Sequence, residues 1–339
     1  MALISGLGVY LPARQQTAAE IAAASGLPEA VVRDKLGLVR KTLPGPDDHT
    51  NAMGIHAARA ALQDAGVAAE KVDVLISITE EHKEFPVWTA GIRTAYELGA
   101  SRAYAYDLGQ KCGTGILALK QAADLLRADP DVNTVLIAGG YRNSDLVRYE
   151  DPNVRFLYNL AAGGGAAVVT RASAHAGSGF EILGSAFRTD GSFSEDVLVP
   201  VGGTRHPLNG HNSAEFRLQV PDPAGMKARL EKKSVDNFVA VVEEACERSG
   251  IRSDQLAYAA VLHMKRSAHQ LMLSRLGIPA ERSIYLSDYG HMGQIDPLLS
   301  LKLASDQGRF KPGDTAVLVA AGIGYVWNAI CVRRTGTLQ

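Results

Sequence analysis

Thr134-Val-Leu-Ile-Ala-Gly-Gly140 and Thr315-Ala-Val-Leu-Val-Ala-Ala-Gly322 are two apolar runs of nearly the same wording, set far apart in one chain. Each is short, rich in branched residues and ended by glycine, and so reads as a fully buried strand. Each also ends a similar unit. Cys112 opens a predicted helix, Gly113 to Arg127, that leads into the first strand; a helix from His291 through Pro297 to Ala304 leads into the second. Upstream, a helical pattern over Asn51 to Ala65, closed by Gly66, precedes the apolar run Val72 to Ile78. Its counterpart, Ser234 to Gly250 with Phe238, Val241, Val242 and Cys246 at helical spacing, precedes Tyr258 to His263. This order predicts an α/β protein with sheets covered on both faces, built by internal duplication, and we place the halves at 1–175 and 176–339.

Sites in such folds lie beyond strand ends, where helices begin. Cys112 and His291 hold that position in their respective halves, so the duplication sets them to face each other. Between the halves' helices, residues from about Asp190 to Pro223 are rich in Gly, Pro, Asn and His and read as a long excursion over the site.

With 339 residues, 46% of them hydrophobic, the chain can bury a large core. Its 35 basic and 36 acidic residues nearly cancel and form no long like-charged run, which gives no reason to expect a nucleic-acid partner. The opening Met1 to Gln15 lacks a basic region before a short, glycine-containing apolar stretch; we read it as a first strand and expect neither a membrane span nor an export signal. Cys112, Cys246 and Cys331 have no CxxC spacing, so no metal site or disulfide framework is expected, and a reducing cytoplasm is the default.

Cys112 stands out among the three. Tyr104-Ala-Tyr-Asp-Leu-Gly-Gln-Lys-Cys-Gly-Thr-Gly115 is a strand that breaks through a turn into a glycine-flanked helix start, where unpaired N–H groups and the adjacent Lys111 favour a thiolate. Cys246 within a helix and Cys331 within a strand read as small buried hydrophobes.

Taken with the nucleophile turn, the segment Phe85-Pro86, the loop from Asp190-Gly-Ser to Val201-Gly-Gly-Thr-Arg-His-Pro207, and the tail Ala321-Gly-Ile-Gly-Tyr-Val-Trp327 occur in the order seen in the type III β-ketoacyl-acyl-carrier-protein synthases. The chain resembles that family of the thiolase superfamily. The resemblance implies a five-layered αβαβα fold, a homodimer, and a cysteine acylated from a coenzyme A or carrier-protein thioester, with no permanently bound cofactor. It assigns His263, at a strand end, to assist the reacting carbonyl, and the backbone N–H groups of Cys112 and Ile323 to an oxyanion hole. Phe85 and Trp88 fall where an apolar residue enters the partner's acyl pocket, and Arg33, Arg40 and Arg205 are candidates for coenzyme A phosphates.

The chain also departs from the pattern. Where the family has an asparagine in Gly-Asn-Thr, this sequence has Asp288-Tyr-Gly-His-Met-Gly-Gln-Ile-Asp296. His291 resembles either the second histidine of the elongating synthases or, with Asp296, the Cys-His-Asp set of an acyl-transferring branch. A histidine held by a carboxylate is a general base, which asparagine is not. Asp296, next to Pro297, is equally well placed as a helix N-terminal carboxylate. The sequence therefore predicts a ping-pong acyltransferase using Cys112, His291, Asp296 and His263. Decarboxylative carbon–carbon condensation, hydrolytic or thiolytic cleavage of a β-dicarbonyl compound, and a non-catalytic partner subunit stay open as alternatives.

Overall fold

The computed structural model describes residues 1–174 and 177–336. The boundary placed at 175/176 between the halves lies outside the described residues. In chain order the strands are β1 Ala2–Tyr10, β2 Gln15–Thr17, β3 Arg40–Thr42, β4 Val74–Ser77, β5 Tyr104–Asp107, β6 Thr134–Tyr141, β7 Gly163–Arg171, β8 Phe180–Thr189, β9 Tyr258–Val261, β10 Thr315–Gly322 and β11 Val326–Arg334. The α-helices are α1 Ala18–Ser25, α2 Thr50–Ala65, α3 Ala90–Leu98, α4 Thr114–Ala128, α5 Pro223–Arg248, α6 Arg266–Arg275 and α7 Asp296–Asp306.

Apart from the β2–β3 ribbon, the strands run in the order β5-β4-β6-β7-β1-β8-β11-β10-β9. Outward from the β1–β8 junction both arms repeat one pattern: antiparallel neighbours first (β1–β7–β6 and β8–β11–β10), then parallel ones (β6–β4–β5 and β10–β9). Among the described residues the arms pair only through Leu3↔Glu181 and Ile4↔Phe180, so they act as two sheets. The period of two sorts their side chains. Val135 and Ile137 of β6, and Ala316, Leu318 and Ala320 of β10, enter a shared core with α4 and α7. Leu136 and Ala138 turn instead to α2, while Val317 and Val319 turn to α5 and α6. The layers are thus α2/α3, sheet, α4/α7, sheet, α5/α6, the five-layered thiolase-like arrangement with duplicated halves.

Local chemistry sets the element ends. Gly66 closes α2 in the left-handed region at φ 63°, where a side chain is strained. Helix α2 also lies unusually close to the sheet, since a Cβ on Gly140 would sit 1.8 Å from the Thr50 carbonyl oxygen. Two boundaries differ from expectation. Helix α5 begins at Pro223, about three turns before Ser234, because Asp222 caps it by accepting from the Gly225 N–H and Pro223 suits a first turn. Cys112 lies in a 3₁₀ turn, Lys111–Gly113, ahead of α4 rather than in the helix itself.

The excursion after Asp190 carries little regular structure, yet it packs. Leu198 bridges Gln219, and Val197, Leu218 and Val220 join Tyr141, Met292 and Ile295 in a second core beside His291.

Candidate active site

Two close approaches bring the halves' helix starts together. Lys111 takes up a left-handed φ of 52°, rare for a residue with a side chain, and turns the chain so that Cys112 precedes α4. Gly115, in the first turn of α4, lies directly on the 3₁₀ turn Gly293–Ile295 ahead of α7; a Cβ there would come within 2.4 Å of the Gln294 carbonyl oxygen. On the other side, the chain at His291 pairs with the segment at Leu160. The His291 N–H donates to Asn159 O at 2.8 Å, and the Ala161 N–H donates to His291 O at 2.9 Å.

The result is a line of three side chains. His291 Nε2 lies 3.3 Å from Cys112 Sγ, and its Nδ1 lies 2.6 Å from Asp296 Oδ2. Asp296 has no exposed surface, and its carboxylate accepts two backbone N–H groups as well: Met292 on Oδ1 at 2.7 Å and His263 on Oδ2 at 2.8 Å. Asp296 is therefore both the first residue of α7 and the partner of His291. Burial opposes charge on His291, but the Asp296 carboxylate and the Cys112 sulfur outweigh it and hold its pKa well above the ordinary imidazole value. Such an arrangement stores an imidazolium beside the sulfur and fixes which ring nitrogen faces it.

His263, expected to assist the reacting carbonyl, has both ring nitrogens engaged. Its Nδ1 accepts from Asn159 Nδ2 at 2.9 Å, so Nε2 carries the proton and faces Gly37 O at 3.3 Å. Burial lowers its pKa to about 4, which keeps the ring neutral. It joins the other three through its backbone N–H. His269 is buried against Tyr285.

The oxyanion candidates lie together, since the end of β10 that leads into Ile323 packs against the 3₁₀ turn holding Cys112. Ile323 is half-buried against the core beside His291. Phe85 is 62% exposed and meets Trp88 edge-to-face at 5.6 Å. The candidate phosphate-binding arginines each pair with a carboxylate: Arg33 with Glu29 at 2.6 Å, Arg40 with Asp288 at 3.2 Å and Arg205 with Glu195 at 3.9 Å.

Sequence reasoning missed several participants. Lys41 is fully buried and donates from Nζ to Tyr158 O and Leu160 O, each at 2.7 Å, bracing the segment that carries Asn159. Burial lowers its pKa to about 7, and no carboxylate among the described residues pairs with it. The stretch Glu80–Glu84 looks like a solvated loop in sequence. Here Glu80 is buried, Lys83 pairs with Asp107 at 2.7 Å, and Glu84 accepts the Asn51 and Ala52 N–H groups at the start of α2. Among the described residues no group of three or more His, Cys, Asp or Glu side chains is arranged to hold a metal ion, and no helix is long and apolar enough to cross a membrane.

Comparison with known proteins bears on the family and the fold. Residues 106–191 match the family described as 3-oxoacyl-[acyl-carrier-protein (ACP)] synthase III, and residues 246–334 match its C-terminal part, together just over half of the chain. The β-ketoacyl-[acyl-carrier-protein] synthase III of Paracoccus denitrificans is 27% identical over 336 residues, covering 98% of this chain and 99% of that protein. The priming β-ketosynthase of a polyketide biosynthetic pathway superposes with a TM-score of 0.86 at 22% identity, covering 100% of this chain and 97% of its own. OleA of Xanthomonas campestris gives 0.83 at 19% identity, covering 98% and 96%. These two are likenesses of fold. The nucleophile turn, the duplicated sheets and the matched segments together place this chain in the 3-oxoacyl-[acyl-carrier-protein] synthase III family of the thiolase superfamily.

Proposed function

We propose that this acyl-transferring enzyme works by a ping-pong reaction in which Cys112 carries the acyl group and His291, oriented by Asp296, serves both half-reactions. The observation that carries it is the continuous line from Sγ through both His291 nitrogens to a buried carboxylate. In the first half-reaction the Cys112 sulfur attacks the thioester carbonyl of a coenzyme A or carrier-protein donor. The Cys112 and Ile323 N–H groups receive the developing oxyanion, and the His291 proton goes to the departing thiolate. Acylation also removes the sulfur's negative charge, one of the two charges that hold His291 protonated. Its Nε2 is then free to take a proton from an acceptor hydroxyl, amine or acidic carbon. The acceptor forms the new bond to the acyl carbon, Cys112 leaves as thiolate, and the proton stays on His291. His263, neutral and turned to Asn159 and Gly37, holds Asp296 through its backbone.

A homodimer acting in a reducing cytoplasm completes the reading. Decarboxylative condensation is the second reading, favoured by the names of the relatives. Intact-protein mass measurement after incubation with a panel of acyl-coenzyme A esters tests the common step. The adduct is expected on Cys112 alone, and an adduct that survives Cys112→Ala sinks the proposal. Carbon dioxide release from a malonyl thioester separates condensation from transfer.

A further inference from the structure

The ribbon β2–β3 belongs to neither arm of the large sheet, yet it reaches the place where the halves meet. Just before β3 the Val39 N–H donates to Ser287 O at 2.8 Å, and within it the Thr42 N–H donates to Tyr289 O at 3.4 Å. Thr42 also faces the first half: its Oγ1 donates to Ala162 O at 2.6 Å, and its carbonyl accepts the Ala162 N–H at 3.1 Å. Strand β3 thus stitches the chain after Asn159, in the first half, to the chain before His291, in the second. Lys41 is the middle residue of that strand, and its side chain has no exposed surface.

An amine taken out of water needs acceptors in its place. For Lys41 Nζ these are Tyr158 O and Leu160 O, each at 2.7 Å, with the Tyr149 ring 5.3 Å away. The two carbonyls stand on either side of Asn159, so fixing them fixes the residue between. Asn159 O accepts the His291 N–H at 2.8 Å, and Asn159 Nδ2 donates to His263 Nδ1 at 2.9 Å. The lysine stem acts on the same place. Gly290 is left-handed at φ 74°, and a Cβ there would lie 2.7 Å from Lys41 Cβ and 2.8 Å from Asn159 O. Asp296 orients the His291 ring within its own segment. The contacts with Asn159 and Lys41 set that segment against the half that carries Cys112.

We infer that Lys41 is a positioning residue for the reaction: by holding Asn159 it sets the His291 ring at its distance from the Cys112 sulfur while touching neither group. The inference rests on the role given to His291 above and adds a residue that acts through it. A reacting group displaced by about 1 Å costs on the order of 10²-fold in rate, whereas binding of the donor away from the sulfur is left as it was.

The test compares the full-length wild type with Lys41→Met, which keeps the stem but has no donor, and Lys41→Arg, which brings donors back. Single-turnover acylation is followed by intact mass with the coenzyme A ester that labels the wild type fastest. Isotope-labelled histidine reports the ring resonances of His291, assigned by their absence from His291→Ala. Lys41→Met is expected to acylate about 10²-fold more slowly, with half-saturation by the ester within about twofold of wild type. Its His291 resonances should move while those of the exposed His206 and His211 stay in place. Lys41→Arg should return the resonances and bring the rate to within about tenfold. A lysine that only stabilises the fold would lower the melting temperature and leave both readouts alone. If Lys41→Met does not fold, Lys41→Gln, one atom shorter, replaces it with the same expected direction. A folded Met or Gln variant with wild-type rate and His291 resonances overturns the inference, as does Lys41→Arg acylating as slowly as Lys41→Met. His291→Ala working at the wild-type rate removes the role of His291 and this inference with it; an inactive His291→Ala beside an unperturbed Lys41→Met removes this inference alone.

Discussion

The Asp296 carboxylate accepts three hydrogen bonds, from the Met292 and His263 N–H groups and from His291 Nδ1. Replacing it by asparagine keeps its size and swaps the carboxylate for an amide that has to face three N–H groups. The charge that orients His291 and holds its proton is then lost, so transfer to acceptor is expected to fall about 10²–10⁴-fold and single-turnover acylation to slow as well, since His291 serves both half-reactions. The pH dependence has a definite sign. A histidine whose folded pKa is raised contributes stability that is fully present below its unfolded value of about 6.5 and is lost as pH rises through the raised one. The melting difference between wild type and Asp296→Asn should therefore be largest in mild acid and shrink in alkali; a constant gap rules out the charged pair. Cys112, His291 and Asp296 were legible in the sequence because a glycine-flanked turn and a five-residue spacing are local patterns. The orientation of His263 was not, since it depends on Asn159, 104 residues away. Lys41, braced on carbonyls 117 and 119 residues distant, was hidden for the same reason.

The stretch from the end of β9 into α6 buries two histidines, His263 and His269, and it titrates with the opposite sign. Burial lowers both His263 and His269 to about 4, from about 6.5 unfolded. A base kept neutral by the fold contributes stability above its unfolded pKa that is lost as pH falls from about 6.5 toward 4. Lowering from about 6.5 to about 4 corresponds to about 3 kcal/mol for each residue as an order of magnitude. Melting temperature should drop between pH 7 and pH 5, and His269→Phe, which keeps a ring against Tyr285, should make the drop shallower. If the variant is as acid-sensitive as wild type, His269 is not the titrating group. Elements with clean periods were readable: β10 matches its predicted span, and α2 starts one residue before it. The early start of α5 was not, because its first eleven residues carry mostly charges and small side chains, with Met226 their one fully buried residue. The π-helix Val31–Leu36, closed by Gly37, gave no periodic signal either.

At the scale of the molecule, the duplication was visible in two strands of similar wording, whereas the way its edges are finished was not. Strand β5 bonds to β4 on one side only and leaves its other edge open. Beside that edge stand Phe85 and Val87 in the loop before α3, Ile92 and Tyr96 on α3, and Tyr104 on β5 itself, all exposed. An open edge flanked by large apolar side chains invites pairing, and in the proposed homodimer a second copy of this chain would close it about a twofold axis. We expect the 36.0 kDa chain to sediment at roughly twice that mass at micromolar concentration. Tyr96→Glu combined with Ile92→Lys introduces charges into the face without touching Cys112, His291 or Asp296, so it should shift the species toward monomer while near- and far-ultraviolet circular dichroism stay native. Acylation of Cys112 should then weaken if Phe85 of one protomer reaches the site of the other, and recover as protein concentration drives the pair back together. A wild type that sediments as a fully active single chain would remove both the dimer and the role given to Phe85.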